Sequence, residues 1–141
     1  MTVFVDTNVL VYVRDASHPA KQQAAANWID HLWRSGDGRL STQVLTEFYV
    51  TVTRKLDPGM TVADARADVR DLLAWRPAPI TGELVTEAGQ VQDRFHFAYW
   101  DALIVAAARG AGCDRLLTED LQDGQDLDGL SVVNPFLTPP P

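Results

Sequence analysis

Residues 3–12 read Val3-Phe4-Val5-Asp6-Thr7-Asn8-Val9-Leu10-Val11-Tyr12, which sets one carboxylate between two apolar runs. Val3 to Val5 read as a strand too hydrophobic to face water, the pattern of a parallel sheet covered on both faces. Val9 to Arg14 read as a short helix whose start is buried. An ionised Asp6 at this junction is costly unless something positive compensates it. The remaining sequence has to supply the reason for it.

Outward from this stretch, strand-like and helix-like pieces alternate. Ser17-His18-Pro19 is a helix start, with Pro19 in the first turn where its missing N–H costs nothing. That helix runs through Ala24, Ala25, Trp28, Ile29 and Leu32 and stops before Gly36. Arg39 to Ser41 reads as a brief strand. Thr42 to Leu56 reads as a helix with Val44, Leu45, Phe48 and Val52 on one side, ended by Asp57-Pro58-Gly59. Thr61 to Asp64 resembles a capping box, and the helix behind it carries Val69, Leu72 and Leu73. Pro77 to Thr81 fits an edge strand, because edges tolerate proline. Gly82 to Phe95 is amphipathic, and Asp101 to Arg109 is apolar almost all round, so that helix is buried on most sides. Arg115 to Thr118 and Leu130 to Val133 read as strands, separated by a polar surface loop from Asp120 to Gly129. The tail Thr138 to Pro141 is expected to fray. The alternation predicts an α/β fold built on a parallel sheet.

A length of 141 residues suits one domain with one core. No apolar run approaches the roughly 20 residues of a membrane span. The start MTVFVDTN has no basic segment and meets an acid at position 6, so no signal peptide is expected. Cys113 is the sole cysteine, which excludes an intrachain disulfide and fits a reducing, cytoplasmic setting. The net charge of -7 argues against a nucleic-acid ligand. Acids clustered around divalent cations would reverse that argument locally.

Four acids are candidates for such a cluster. Ligands of open parallel sheets bind outside the carboxyl ends of the strands. Asp6 follows the first strand directly, and Asp120 lies just beyond the strand ending at Thr118. Asp101 is the only acid in its buried helix and falls in the first turn, where a carboxylate suits the helix dipole. Glu47 lies on the flank of the apolar face of its helix. Each has a plainer alternative. Asp6 can cap the next helix beside Thr7 and Asn8. Asp101 can be a simple first-turn acid, and Glu47 a boundary residue. Asp120 belongs to a run with Glu119, Asp123, Asp126 and Asp128 that reads as solvated loop. If the four converge, they cannot all stay ionised without cations. Hard oxygen donors select Mg2+ or Mn2+. Such ions activate a bound water and stabilise the leaving oxygen of a phosphodiester. No competing nucleophile stands out: Cys113 has no histidine partner nearby in sequence, and His18, His31 and His96 form no zinc spacing.

VDTNVLVY, the acid of TEFYV, YWDALIVAAA and LLTEDLQDG, in that order, resemble the PIN-domain family, and more narrowly the VapC-type ribonuclease toxins of bacterial type II toxin–antitoxin (VapBC) pairs. The resemblance extends over nearly the whole chain, including VVNPF. It implies a single domain over residues 1–141, a PIN-like three-layer α/β/α sandwich with a central five-stranded parallel sheet. It implies a Mg2+-dependent endoribonuclease, with Mn2+ as an alternative ion. The family's acid positions fall on Asp6, Glu47, Asp101 and Asp120. Of these, Asp6, Asp101 and Asp120 are the expected metal ligands, direct or through water, with Glu47 holding a second ion or placing the attacking water. Asn8 and Thr118 match the family's supporting polar positions. The implied partners are an RNA substrate, a VapB-type antitoxin whose basic segment enters the acidic site, and a second copy of the chain, with Trp33 or Tyr49 as interface aromatics.

Arg14, Arg54, Lys55 and Arg109 are candidate phosphate contacts or scattered surface charges. Trp100, Phe97 and Tyr99 are candidate base-stacking residues or core. Phosphoryl transfer to an aspartate fits poorly: a phosphatase needs an acid where Asn8 stands, and a receiver needs a late lysine, whereas the only lysines are Lys21 and Lys55. A non-catalytic binding module and a nuclease acting on DNA or in RNA processing are the remaining alternatives.

Overall fold

The computed structural model describes all 141 residues. Its elements in chain order are β1 (Val3–Val5), α1 (Thr7–Val13), α2 (Pro19–Ser35), β2 (Gly38–Arg39), α3 (Thr42–Arg54), α4 (Val62–Leu72), a 3-10 turn (Leu73–Trp75), α5 (Gly82–Phe95), α6 (Tyr99–Gly110), β3 (Arg115–Leu117), β4 (Asp126–Leu127) and β5 (Leu130–Val133). The strand order is β2-β1-β3-β5-β4, so β1 is an interior strand, flanked by β2 and the central β3. Val3, Phe4 and Val5 are completely buried. Successive strand side chains point to opposite faces, so both faces of the sheet are covered. α5 packs on α6 in one group, while α1 packs on α2 and α3, and α3 on α4.

Side-chain caps punctuate the helices. The hydroxyls of Ser41, Thr61 and Thr81 accept from the amides of Val44, Asp64 and Leu84, starting α3, α4 and α5. α2 ends at Gly36, whose φ of 75° is the left-handed conformation that glycine adopts without strain. Seven consecutive residues of α6, Ala102 to Ala108, are buried, as an all-apolar helix requires. No helix is long and apolar enough to cross a membrane. The end of the chain is tied down at Thr138, whose carbonyl accepts from the Trp28 indole at 2.8 Å.

The sheet departs from the sequence reading at one edge. Pro77 to Thr81 is not a strand; Ala78 alone forms a bridge, to Ser41. Pro77 and Pro79 have no N–H to donate, so the pairing cannot extend past Ala78. The fifth strand is instead Asp126–Leu127, inside the stretch read as a loop, and it runs antiparallel to β5. The turn between them is Asp128-Gly129, with φ of 55° and 99°. Two consecutive positive φ values are what a tight hairpin turn with the right twist demands, and Asp-Gly supplies them. The sheet is thus parallel except for this edge pair. Element ends also shift: α1 begins at Thr7, α6 at Tyr99, and β2 covers Gly38–Arg39.

At the other edge, Trp75 lies against β2. A Cβ built on Gly38 would sit 2.7 Å from the Trp75 ring. Trp75 is 5% exposed and stacks at a tilt on Trp33, so it cannot swing away freely. Gly38→Ala is expected to destabilise the fold by about 1–3 kcal/mol through overpacking. Urea unfolding compared with wild type checks this; an unchanged midpoint would show that the ring yields.

Candidate active site

The register of β1 on β3 sets the site. Val5 pairs with Leu117 in a parallel ladder, so the next residues, Asp6 and Thr118, leave the sheet side by side. The Asp6 amide donates to the Leu117 carbonyl at 3.0 Å. The Asp6 side chain is 6% exposed and does two things at once. Its Oδ1 caps α1 by accepting from the Thr7 amide at 2.7 Å. Its Oδ2 accepts from Thr118 Oγ1 at 2.8 Å and from Asn8 Nδ2 at 3.3 Å.

Asn8 and Thr118 link Asp6 to Asp120. Asn8 Nδ2 also lies 3.1 Å from Asp120 Oδ2 and 3.1 Å from Thr118 Oγ1. With two protons for three acceptors, the long approach to Asp6 is the weakest of the three. The Asp120 amide donates to Thr118 Oγ1 at 3.1 Å. Glu47 comes in from α3. Its Oε2 accepts from Thr7 Oγ1 and its Oε1 from Gln43 Nε2, both at 2.8 Å. Asp101, in the first turn of α6, is half-buried.

The electrostatics show that these four acids share one region. Burial pushes Asp6 from 3.8 up to about 7. Hydrogen bonds from Thr118 and Thr7 oppose that rise, and the charges of Asp120 and Glu47 add to it. Asp101 is also raised, chiefly by burial and then by Asp120 and Glu47. No basic group contributes to either shift. A cleft of about 340 Å3 is lined by two of the four acids, Glu47 and Asp120, together with Thr7, Asn8, Tyr12 and Glu119, with no lysine or arginine in its wall; Asp6 and Asp101 are not part of that wall.

The donor set fits a divalent metal in kind: carboxylate oxygens, an excess of negative charge and no internal cation. Geometrically, no three acidic, histidine or cysteine side chains converge on one ion-sized point. Thr7, Asn8 and Thr118 hold the Asp6, Glu47 and Asp120 carboxylates in place by hydrogen bonds, whereas none of them reaches Asp101.

The basic candidates separate. Arg14 is committed to Asp68 through two bonds of 2.7 Å. Arg109 lies eight residues beyond Asp101 on α6, about 12 Å along its axis at 1.5 Å per residue, and lines a different pocket with Arg94. Arg54 and Lys55 end α3 on the exposed surface, about 10 Å along its axis from Glu47. Of the aromatics, Trp100 is 65% exposed next to Asp101, whereas Phe97 and Tyr99 pack on the core.

Two residues with no sequence signal stand beside the acids. Lys21 of α2 donates to Glu119 at 2.7 Å, and its ammonium lies over the rings of Tyr12 and Phe136. Gln43 joins Glu47 to the Trp100 carbonyl. Both depend on contacts between residues far apart in the chain.

The PIN domain family model matches residues 3–123, and the chain belongs to the PIN domain family. Among solved structures, it is similar to a chain of a toxin–antitoxin complex from Klebsiella pneumoniae, with a TM-score of 0.65 and 17% identity, covering 96% of this chain and 98% of that one. It is similar to VapBC2 from Rickettsia felis bound to a DNA fragment from their promoter, with a TM-score of 0.62, 16% identity and coverage of 94% and 97%. It is also similar to the sarcin-ricin loop cleaving toxin VapC20 of Mycobacterium tuberculosis, with a TM-score of 0.58, 24% identity and coverage of 82% and 87%. At these identities the likeness establishes the fold. No match is found among curated proteins.

The Asp6 shift has a consequence for stability. Its native pKa lies above its unfolded one, so between 3.8 and about 7 the native state holds a proton that the unfolded state has released. Stability of the metal-free protein therefore falls as pH rises through that window, by at most about 1.4 kcal/mol per pH unit, and levels off above it. Asp6→Asn, which keeps a capping side chain, is expected to flatten this fall. Thermal unfolding in EDTA across the window checks it; parallel wild-type and mutant profiles would show that Asp6 is not the titrating group.

Proposed function

We propose that the chain is a metal-dependent endoribonuclease and the toxin of a VapBC-type toxin–antitoxin pair. The observation that carries this reading is the burial of Asp6 among like charges with no basic residue to offset it. A site of that kind is stable only when it is protonated or holding a cation. Similarity to toxins and toxin–antitoxin complexes over most of their length supports the biological setting.

Asp6, Asp101 and Asp120 would hold a Mg2+ or Mn2+ ion, directly or through its bound waters, since the three do not converge on one ion-sized point, and Glu47 would hold a second ion or place the attacking water. When bound, the metal supplies the charge that makes water a nucleophile near neutral pH and stabilises the leaving oxygen. Everything else falls to the chain itself. Thr118 and Asn8 fix the Asp6 and Asp120 carboxylates relative to each other, as hydrogen-bonding supports of ligands do. Thr7 orients one oxygen of Glu47. Trp100, exposed beside Asp101, offers a face on which an RNA base can stack.

An antitoxin would meet two features. Its basic segment would enter the carboxylate cleft. Its apolar side would cover a groove of about 470 Å3 between α1, α2 and α4, lined by Leu10, Val13, Ile29, Leu72 and the partly exposed Trp33. A second copy of the chain would use the face bearing Tyr49. The setting of this chemistry is cytoplasmic, where cellular RNA is available.

The test is incubation of antitoxin-free protein with cellular RNA in Mg2+ or Mn2+, alongside EDTA controls and a single-stranded DNA substrate. Discrete RNA cleavage is expected with metal, falling roughly 100-fold or more in Asp6→Asn and Asp101→Asn. Cleavage that persists in EDTA, or in Asp6→Asn, would refute the assignment. Cleavage of DNA alone would redirect the substrate.

A further inference from the structure

Gln43 lies one turn before Glu47 on α3 and is 5% exposed. Its Nε2 donates to Glu47 Oε1 at 2.8 Å and to the Trp100 carbonyl at 3.3 Å. Both partners can only accept, so the amide must turn its nitrogen toward them and both of its protons are used. The orientation leaves Oε1 buried with no hydrogen-bond partner. A buried orphan carbonyl is unfavourable, and flipping the amide would be worse, setting an oxygen against a carboxylate and a carbonyl. An apolar side chain of the same length would fill this space without that penalty. Packing therefore does not explain an amide here.

Its connections do. Trp100 immediately precedes Asp101 in the first turn of α6. α3 and α6 share little direct packing, so the Gln43 amide is a polar tie across the seam between the helices that carry Glu47 and Asp101. Thr7, from the first turn of α1 beside Asp6, holds the other Glu47 oxygen. One donor on each oxygen fixes both the position and the rotation of the carboxylate.

We propose that Gln43 is a positioning residue that sets Glu47 against Asp101, at a cost in fold stability. The proposal rests on the ribonuclease activity proposed above. Gln43→Met removes the two donors and the orphan oxygen together. The fold loses little by it: the Trp100 carbonyl still accepts from the helix amide four residues on, and Glu47, a partly exposed residue, can take water in place of the lost donor. The expected signature is an unchanged or higher Tm in metal-free protein, with kcat for RNA cleavage reduced about tenfold or more and KM within about twofold. Thr7→Val, which frees the other Glu47 oxygen, is expected to lower kcat in the same way, and does so whether or not Gln43→Met folds well.

A residue that merely supports the fold would lower Tm along with kcat, and that pairing in Gln43→Met would overturn the proposal. Wild-type kcat in both variants would overturn it too while leaving the ribonuclease reading intact. Absence of cleavage by the wild type would remove that reading and this proposal with it.

Discussion

The pairing of Val5 with Leu117 decides where everything else must go. It places Asp6 and Thr118 side by side at the carboxyl end of β1 and β3, with the Asp6 amide bonded to the Leu117 carbonyl and its carboxylate bonded to the Thr118 hydroxyl. A slip of one residue in a strand turns its side chains to the opposite face. Here it would drive Asp6 into the sheet or pull Thr118 away from it. With both faces covered and Val3, Phe4 and Val5 completely buried, such a slip would draw polar Thr2 or Asp6 into the apolar interior, and that cost holds the register. The hydrophobic core thus acts on the site through register.

Given that register, the site is a compromise between hydrogen bonding and repulsion. Three hydroxyl or amide side chains, Thr7, Asn8 and Thr118, orient the Asp6, Glu47 and Asp120 carboxylates. The Thr118 hydroxyl and the Thr7 backbone amide lessen the penalty of burying Asp6 without cancelling it, and burial still pushes its pKa up to about 7. The chain's acidity is consistent with this. Two of its basic side chains are committed to acids outside the set of four, Arg14 to Asp68 and Lys21 to Glu119. What would make the cleft receptive to an RNA backbone is bound cation, with the protein's own surface contributing little positive charge.

The parts of this arrangement that were legible in the sequence are those written in local pattern. The apolar triplet before Asp6 and the acid alone in DALIVAAAR each carry their meaning within a few residues. The edges of the sheet were harder. β4 is two residues long and half polar, so nothing in its composition separates it from loop, and its strand character comes from pairing with β5. Pro77 to Thr81 has strand-like composition, but its prolines limit it to a single bridge. Lys21 and Gln43 could not be found from spacing. Lys21 meets Glu119 across 98 positions and Gln43 meets Trp100 across 57. Contacts of that range exist only once the helices are docked.

The central claim is that Asp6 is buried in order to hold a cation, and direct metal binding tests it without any substrate. Mn2+ would be titrated into the metal-free protein near neutral pH by calorimetry, in two buffers that differ in ionisation enthalpy. If Asp6 holds a proton in the free protein and surrenders it to the metal, binding releases protons, the release fades at alkaline pH, and Asp6→Asn abolishes it. Binding with no proton release, or with the same release in Asp6→Asn, would contradict the account and place the metal away from Asp6.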